Sequence, residues 1–281
     1  YRDATQYLWD QSIRLINKGY TPVELQHALK DLPDHLVEPP YSVPMYATPV
    51  TTVPEFFTGW VSWFRGDATD LFPSEPHSRA ERLVALMGGT DAVLEEAKAV
   101  HAAGDHQFAA ELAQLVVRAV PDHDDAKLVK AAALRALGYQ QLNPIARSWY
   151  LTGALELEGA IDPKLILDAM LAMLAAESTA RDVVGGWRYL LDADRAGTVD
   201  LPVGLRITDT GEELTVHLRN SVLHVGNGID EGVVAIVELP VAALTSIAPE
   251  GVVTVEGDPN AFAQLVGFLD TEIAGFYMHQ R

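Results

Sequence analysis

The side chains in this 281-residue chain best suited to holding a metal or moving a proton are its nine histidines and 39 acidic residues. A hydrolytic metal centre needs several His and carboxylate ligands converging on one point, and these usually come from short motifs on one helix face or strand. The histidines stand at positions 27, 35, 77, 101, 106, 123, 217, 224 and 279, and no two are two or four residues apart. The densest group is Asp122, His123, Asp124 and Asp125. It follows Pro121, where acidic residues favour the start of a helix through the macrodipole. The spacing therefore predicts no metal bound by this chain. His217 and His224 fall on neighbouring predicted strands and read as sheet residues. The chain has no cysteine, which excludes disulfides, thiolate nucleophiles and Cys-ligated zinc. It carries no G-x-S-x-G, P-loop or G-x-G-x-x-G pattern, and Gly226-Asn227-Gly228 is a turn signal. The residues alone show no complete catalytic site.

A different chemistry is offered by residues 31–76. Tyr41, Tyr46, Phe56, Phe57, Trp60, Trp63, Phe64 and Phe72 crowd a stretch that also holds eight prolines. The prolines argue against long regular structure and for an extended loop, and loops of this length usually carry function. Tyr46, Trp60, Trp63, Phe64 and Arg65 are the candidate substrate-binding residues, four apolar or aromatic surfaces and one cation. The same aromatics also suit pinning the loop onto a neighbouring domain, and the two roles are compatible.

The surrounding elements fall into three further parts. Trp9, Ile13 and Ile16 recur at helical spacing and Gly19 ends that helix. Thr21, Pro22 and Glu24 form a capping-box start for a second helix, which reaches Lys30. Residues 77–158 are Ala/Leu-rich and helical, with Phe108, Leu112, Leu115, Val116 and Ala119 as one stripe. Gly104 and Gly138 lie 34 residues apart, each expected at a helix-to-helix turn, with Ala109 and Pro121 between them. That is the period of a tetratricopeptide repeat. Two such units bury too little surface alone, so dimerisation or packing on another domain is expected. In residues 162–281, Asp162-Pro163 starts a helix with Leu167, Met170, Leu171 and Leu174 on one face. Strands are predicted over 205–208, 214–219, 221–225, 233–239 and 252–256, and a closing helix follows Asp258-Pro259. The expected fold is thus a TPR-like antiparallel helical domain followed by an α+β domain of helices and an antiparallel sheet.

A net charge of −19 argues against nucleic acid and anionic membrane surfaces as partners. The longest apolar run, residues 169–176, is too short to span a bilayer. A soluble protein of the cytoplasm or periplasm is expected. The first residue is Tyr1 rather than Met, so the natural start is expected upstream.

Several segments together resemble the alkylsulfatases of the metallo-β-lactamase superfamily. They are Tyr1-Arg2-Asp3 through Asp10-Gln11 to Gly19-Tyr20-Thr21-Pro22, Tyr46-Ala47-Thr48 through Gly66-Asp67, and Leu86-Met87-Gly88-Gly89 with Gly104-Asp105. The most specific is Asn143-Pro144 to Arg147 with Tyr150-Leu151-Thr152-Gly153-Ala154. The resemblance implies a zinc-dependent hydrolase domain, an α-helical dimerisation domain and a sterol-carrier-like domain that handles alkyl chains. Residues 1–30 would then be the last helices of the hydrolase domain, 31–76 a Pro/aromatic-rich loop, 77–158 the dimerisation domain and 162–281 the sterol-carrier-like domain. The implied zinc ligands, an H-x-H-x-D-H motif with two acids and a later histidine, have no counterpart here, so they are expected in a missing N-terminal domain. The implied function is the C-terminal portion of a sulfuric-ester hydrolase, acting as a homodimer on an alkyl or lipid-like small molecule. The alternative is a non-catalytic lipid-binding scaffold. Where the family has His-Asn this chain has Thr51-Thr52, and where it has Gly-Trp-Tyr-Asp-Gly this chain has Ser62-Trp63-Phe64-Arg65-Gly66. Arg65 would supply an anion contact in place of the lost polar groups.

Overall fold

The computed structural model of the chain describes residues 1–37, 45–247, 252, 254–272 and 277–278, without the side chains of 171, 172 and 174–177. Tyr41, His279 and the Leu171 and Leu174 side chains lie outside the described residues. The chain forms two compact units, residues 1–162 with 277–281, and residues 163–276.

The first unit is helical. Helices α1 (Arg2–Ile16), α2 (Pro22–Ala28) and α3 (Pro49–Trp60) share a core of Leu15, Leu25, Leu29, Val53 and Phe57. The α2 capping box forms as expected, with Thr21 Oγ1 accepting from Glu24 N–H and Glu24 accepting from Thr21 N–H at 2.8 Å. In α1 the buried face is Ala4, Ser12 and Leu15, so the predicted Trp9–Ile13–Ile16 stripe is displaced around the helix. The stretch predicted as loop contains the 12-residue helix α3 despite Pro54 inside it. Pro49 sits in the first turn, where a missing N–H costs nothing. Pro54 lacks the N–H that would bond the Val50 carbonyl, and Gln26 Nε2 donates to that carbonyl instead at 3.0 Å. A second capping box, Thr48 with Thr51, fixes the start of the helix.

Among the described residues five more helices follow in this unit: α4 (Pro76–Leu86), α5 (Thr90–Ala102), α6 (His106–Ala119), α7 (Asp124–Gln140) and α8 (Pro144–Leu157). Gly104 makes the α5–α6 turn at φ +96°, a backbone state that glycine adopts without steric cost. Gly138 does not sit at a turn. It is buried inside α7, and a Cβ there would lie 2.9 Å from Leu151 Cδ2 and 3.2 Å from Tyr150 Cβ. Its absent side chain is what lets α7 and α8 approach. The buried face of α6 is Ala109, Ala110, Leu112, Ala113, Val116 and Val117, while Phe108, expected in the stripe, is exposed.

The second unit begins with α9 (Pro163–Glu177), α10 (Ala180–Gly186) and the short α11 (Ala193–Ala196). Strands β1 (Leu201–Ile207), β2 (Glu213–Arg219), β3 (Val222–Asn227), β4 (Ala235–Leu239) and β5 (Thr254–Gly257) form one sheet in the order β3-β2-β1-β4-β5. Helix α12 (Val241–Ser246) precedes β5 and α13 (Ala261–Gly267) follows it. The sheet is mixed rather than antiparallel, because β1 and β4 pair in parallel from Val203↔Ala235 to Ile207↔Leu239. The physical reason is the connection 228–234, which runs back over one face of the sheet instead of turning tightly. Its path is recorded in two strand residues that pair with each other, Gly204 and Thr215. A Cβ at Gly204 would lie 3.0 Å from Ile229 Cγ2. The buried Thr215 hydroxyl donates to Gly228 O at 2.9 Å and accepts from Asp230 N–H at 2.8 Å. The opposite face carries the core, where Val203, Leu205, Ile207, Val216, Leu218, Val237 and Leu239 pack against Trp187, Leu244, Phe262 and Leu265.

Candidate functional site

The candidate residues do not converge on one point. Trp60 ends α3, and its ring meets Trp9 of α1 at 5.5 Å and 67°. Trp9 also meets Phe56 at 5.0 Å and 74°. Edge-to-face packing of this kind is favoured by the ring quadrupoles. Trp60 is 60% exposed and Trp9 41%, so the trio presents a wide apolar surface. The spacing of Trp9 with Ile13 and Ile16 predicts a helix but not this surface, which forms because Phe56 and Trp60 lie one turn apart on α3. Trp63 and Phe64 pack on each other at 6.1 Å and 69°, with Trp63 71% exposed. Arg65 follows on the exposed side, ahead of Gly66 at φ +103°. Tyr46 is 82% exposed, and its contribution here is backbone: Asn143 Nδ2 donates to its carbonyl at 2.9 Å. Asn143 also caps α8 by accepting from the N–H groups of Ile145 and Ala146 at 2.9 Å. One side chain thus ties the aromatic segment to the helix whose sequence carried the most specific family resemblance.

Elsewhere the titratable groups form pairs rather than ligand sets. His101 and His106 face each other across the Gly104 turn, with Nδ1 atoms 3.0 Å apart. Burial, and then the neighbouring His106, push the His101 pKa down. His217 and His224 are register partners on β2 and β3, and His217 Nε2 lies 2.6 Å from Asp200 Oδ1. Among the described residues no group of three or more His, Cys, Asp or Glu side chains is placed to hold a metal. The donor set needed for the zinc that the resemblance implies is therefore not gathered by these residues. On the outer face of the sheet, Arg206 bridges Glu213 at 3.0 Å and Glu238 at 2.7 Å. The hydrogen bond from Thr254, followed by Arg206, keeps the Glu238 pKa below the usual carboxylate value.

Inside the helical unit Lys130 is buried at 6% exposure. Its ammonium donates to Gln114 Oε1. Burial, then the nearby Arg118 charge, lower its pKa to about 8, against a smaller opposing pull from Glu156. Glu156 in turn accepts from the Met278 backbone N–H at 2.7 Å.

Two family models match consecutive stretches of the chain. A family model described as alkyl sulfatase dimerisation matches residues 21–160, and one described as alkyl sulfatase C-terminal matches residues 164–277. The chain belongs to the alkylsulfatase family. A linear primary-alkylsulfatase from Pseudomonas sp. is 39% identical over 243 residues, which is 83% of this chain and 46% of the relative. An (R)-specific secondary-alkylsulfatase from Pseudomonas sp. is 28% identical over 283 residues, 96% of this chain and 42% of the relative. The solved structure of a stereoselective inverting sec-alkylsulfatase from Pseudomonas sp. aligns with a TM-score of 0.79 at 26% identity, covering all of this chain and 46% of its own. The chain spans less than half the length of these alkylsulfatases. Among its described residues, no helix is long and apolar enough to cross a membrane.

Proposed function

We propose that this chain serves an alkylsulfatase-type metallohydrolase as the part that dimerises and handles the alkyl chain. The observation that carries this reading is the tandem match of the dimerisation and C-terminal alkylsulfatase families across residues 21–160 and 164–277. In the reaction, water adds to an alkyl sulfate monoester and the products are the alcohol and hydrogen sulfate. Zinc would be held by residues outside these 281, and it would supply Lewis-acid activation of water. What this chain offers is surface. Trp63 and Phe64 give apolar contact and Arg65 a guanidinium suited to a sulfate oxygen pair. Trp60 and Tyr46 offer further exposed aromatic surface in the same unit.

Finer architecture follows from the same reading. Helices α5 and α7 begin 34 residues apart, at Thr90 and Asp124, which supports two TPR-like helix pairs, α5–α6 and α7–α8. A five-stranded sheet with helices packed on one face supports a sterol-carrier-like second unit. Residues 1–30 would close the hydrolase domain, 31–76 would be the connecting aromatic segment, 77–158 the TPR-like dimerisation domain and 162–281 the sterol-carrier-like domain. A homodimer is the expected assembly.

The test is sulfate release from decyl sulfate, followed by ion chromatography. It compares the 281-residue chain with the protein extended by the region its relatives carry beyond it, each with added zinc. Release confined to the extended protein is the expected result, and Arg65→Ala there should raise KM about tenfold, the size of one charge-assisted hydrogen bond. Release by the 281-residue chain alone would overturn the proposal.

A further inference from the structure

The helical unit carries a second feature besides the aromatic surface. A cavity of about 1020 Å³ lies between residues 30–37, residues 48–51 and helices α7 and α8, and Met278 also lines it. Small-molecule pockets typically measure about 300–1,000 Å³ and are mostly apolar with a few placed polar groups. Val50, Leu134, Trp149 and Met278 give this one its apolar lining. The Met278 wall is held in place. Its N–H bonds Glu156 at 2.7 Å, and its carbonyl lies against Gly153, where a Cβ would come within 3.4 Å. An unbranched thioether there adapts to an unbranched guest.

Two polar observations define the guest. Among the described residues the ionic groups lining it are Lys30, Asp31 and Asp34. Lys30 lies 3.9 Å from Asp31, which among the described lining residues leaves Asp34 as net negative charge, in a chain whose total is −19. An anionic head is repelled at such a rim. Tyr150, part-buried, also lines the cavity and brings the one phenol of its lining among the described residues. Burial raises its pKa, so it stays a neutral donor and acceptor. We infer that this cavity binds an uncharged, unbranched primary or secondary alcohol, with its chain along Val50, Trp149 and Met278 and its hydroxyl at Tyr150. The source of such a molecule rests on the proposed hydrolysis, which converts an anionic alkyl sulfate into a neutral alcohol. The cavity then separates product from substrate by charge.

The experiment uses the 281-residue chain with 1-hexanol, 1-octanol, 1-decanol and decyl sulfate below its micellar concentration, by calorimetry and by quenching with brominated decanol. One saturable site is expected, with affinity rising about three- to fourfold per added methylene. Decyl sulfate should bind at least tenfold more weakly than decanol. Trp149→Phe should remove most of the quenching, Val50→Glu should weaken decanol at least tenfold, and Tyr150→Phe about fivefold. Val50 is partly exposed, so that substitution does not threaten the fold. No binding of decanol, equal or tighter binding of decyl sulfate, or a Val50→Glu variant that binds decanol unchanged would each overturn the inference. The two readings fail separately. Sulfate release without alcohol binding removes only the cavity's ligand, whereas alcohol binding without release removes only the hydrolysis.

Discussion

In the sheet unit, Leu205, Ile207, Val216, Leu218 and Val237 share one continuous core with Trp187 and Phe262. In the helical unit the buried side chains divide into four smaller clusters among the described residues, one of them built almost wholly from alanines. A sheet presents one broad apolar face and buries it under a single layer of helices. Stacked helix pairs bury only the seams between neighbours, so each seam is a local core and outer faces stay open. The difference predicts that a core substitution spreads through the sheet unit and stays local in the helical one. The aromatic trio, the Trp63–Phe64 pair and the apolar cavity are all in the unit with the divided core.

The largest effect that tests this contrast is expected at Trp187. Replacing it with Ala should cost about 3–5 kcal/mol and raise hydrogen exchange across β1, β2 and β4 together, because its cavity opens into a shared core. Leu25→Ala truncates an equally buried side chain and should cost about 2–5 kcal/mol. Its exchange increase should stop at α1, α2 and α3. If Leu25→Ala loosened α6 and α7 as strongly as α2, the helical core would be continuous and the contrast would be wrong.

Lys130 sharpens the comparison through pH. The unfolded chain keeps this proton up to the ordinary lysine value of 10.5, while the folded chain keeps it only to about 8. Between those values the unfolded state binds more protons, so stability from this group rises as pH increases from about 8 towards 10.5. Below about 8 the buried charge costs its full penalty. Lys130→Met should therefore stabilise the chain by about 1–3 kcal/mol at pH 7, and its advantage over the natural residue should shrink as pH rises to 10. Urea denaturation of both proteins at pH 7, 8.5 and 10 measures this, and an advantage that stays constant with pH would contradict it. A still smaller effect is expected at Gly204. An alanine there presses on Ile229 and should cost about 1 kcal/mol by overpacking, read as a lowered melting temperature.

Much of the fold was legible from the residues. The capping box at Thr21 and Glu24, the turn glycine at 104 and the closing helix with Phe262 and Leu265 follow from local rules, and the structure shows each of them. What local rules missed depends on distant partners. Strand β1 starts at Leu201 rather than 205, because Pro202 and Gly204 read as breakers. In the structure Gly204 exists to admit Ile229, a contact that only the 228–234 crossing creates. The same crossing makes the β1–β4 pairing parallel. Gly138 looked like a turn residue because its spacing from Gly104 matched a repeat, whereas its lack of a side chain serves the approach of α8. Helix α3 was hidden by Pro54, whose broken hydrogen bond is repaired by Gln26 from another helix. Of the candidate site, Tyr46, Trp60, Trp63, Phe64 and Arg65 are named by the sequence, but the packing of Trp9 on Trp60 depends on α1 meeting α3.

The most direct test of the account is sulfate release from decyl sulfate with zinc, by this chain alone and by the protein extended with the region present in its relatives. Release only from the extended protein is the expected result. Stoichiometric sulfate release by residues 1–281 alone would contradict it.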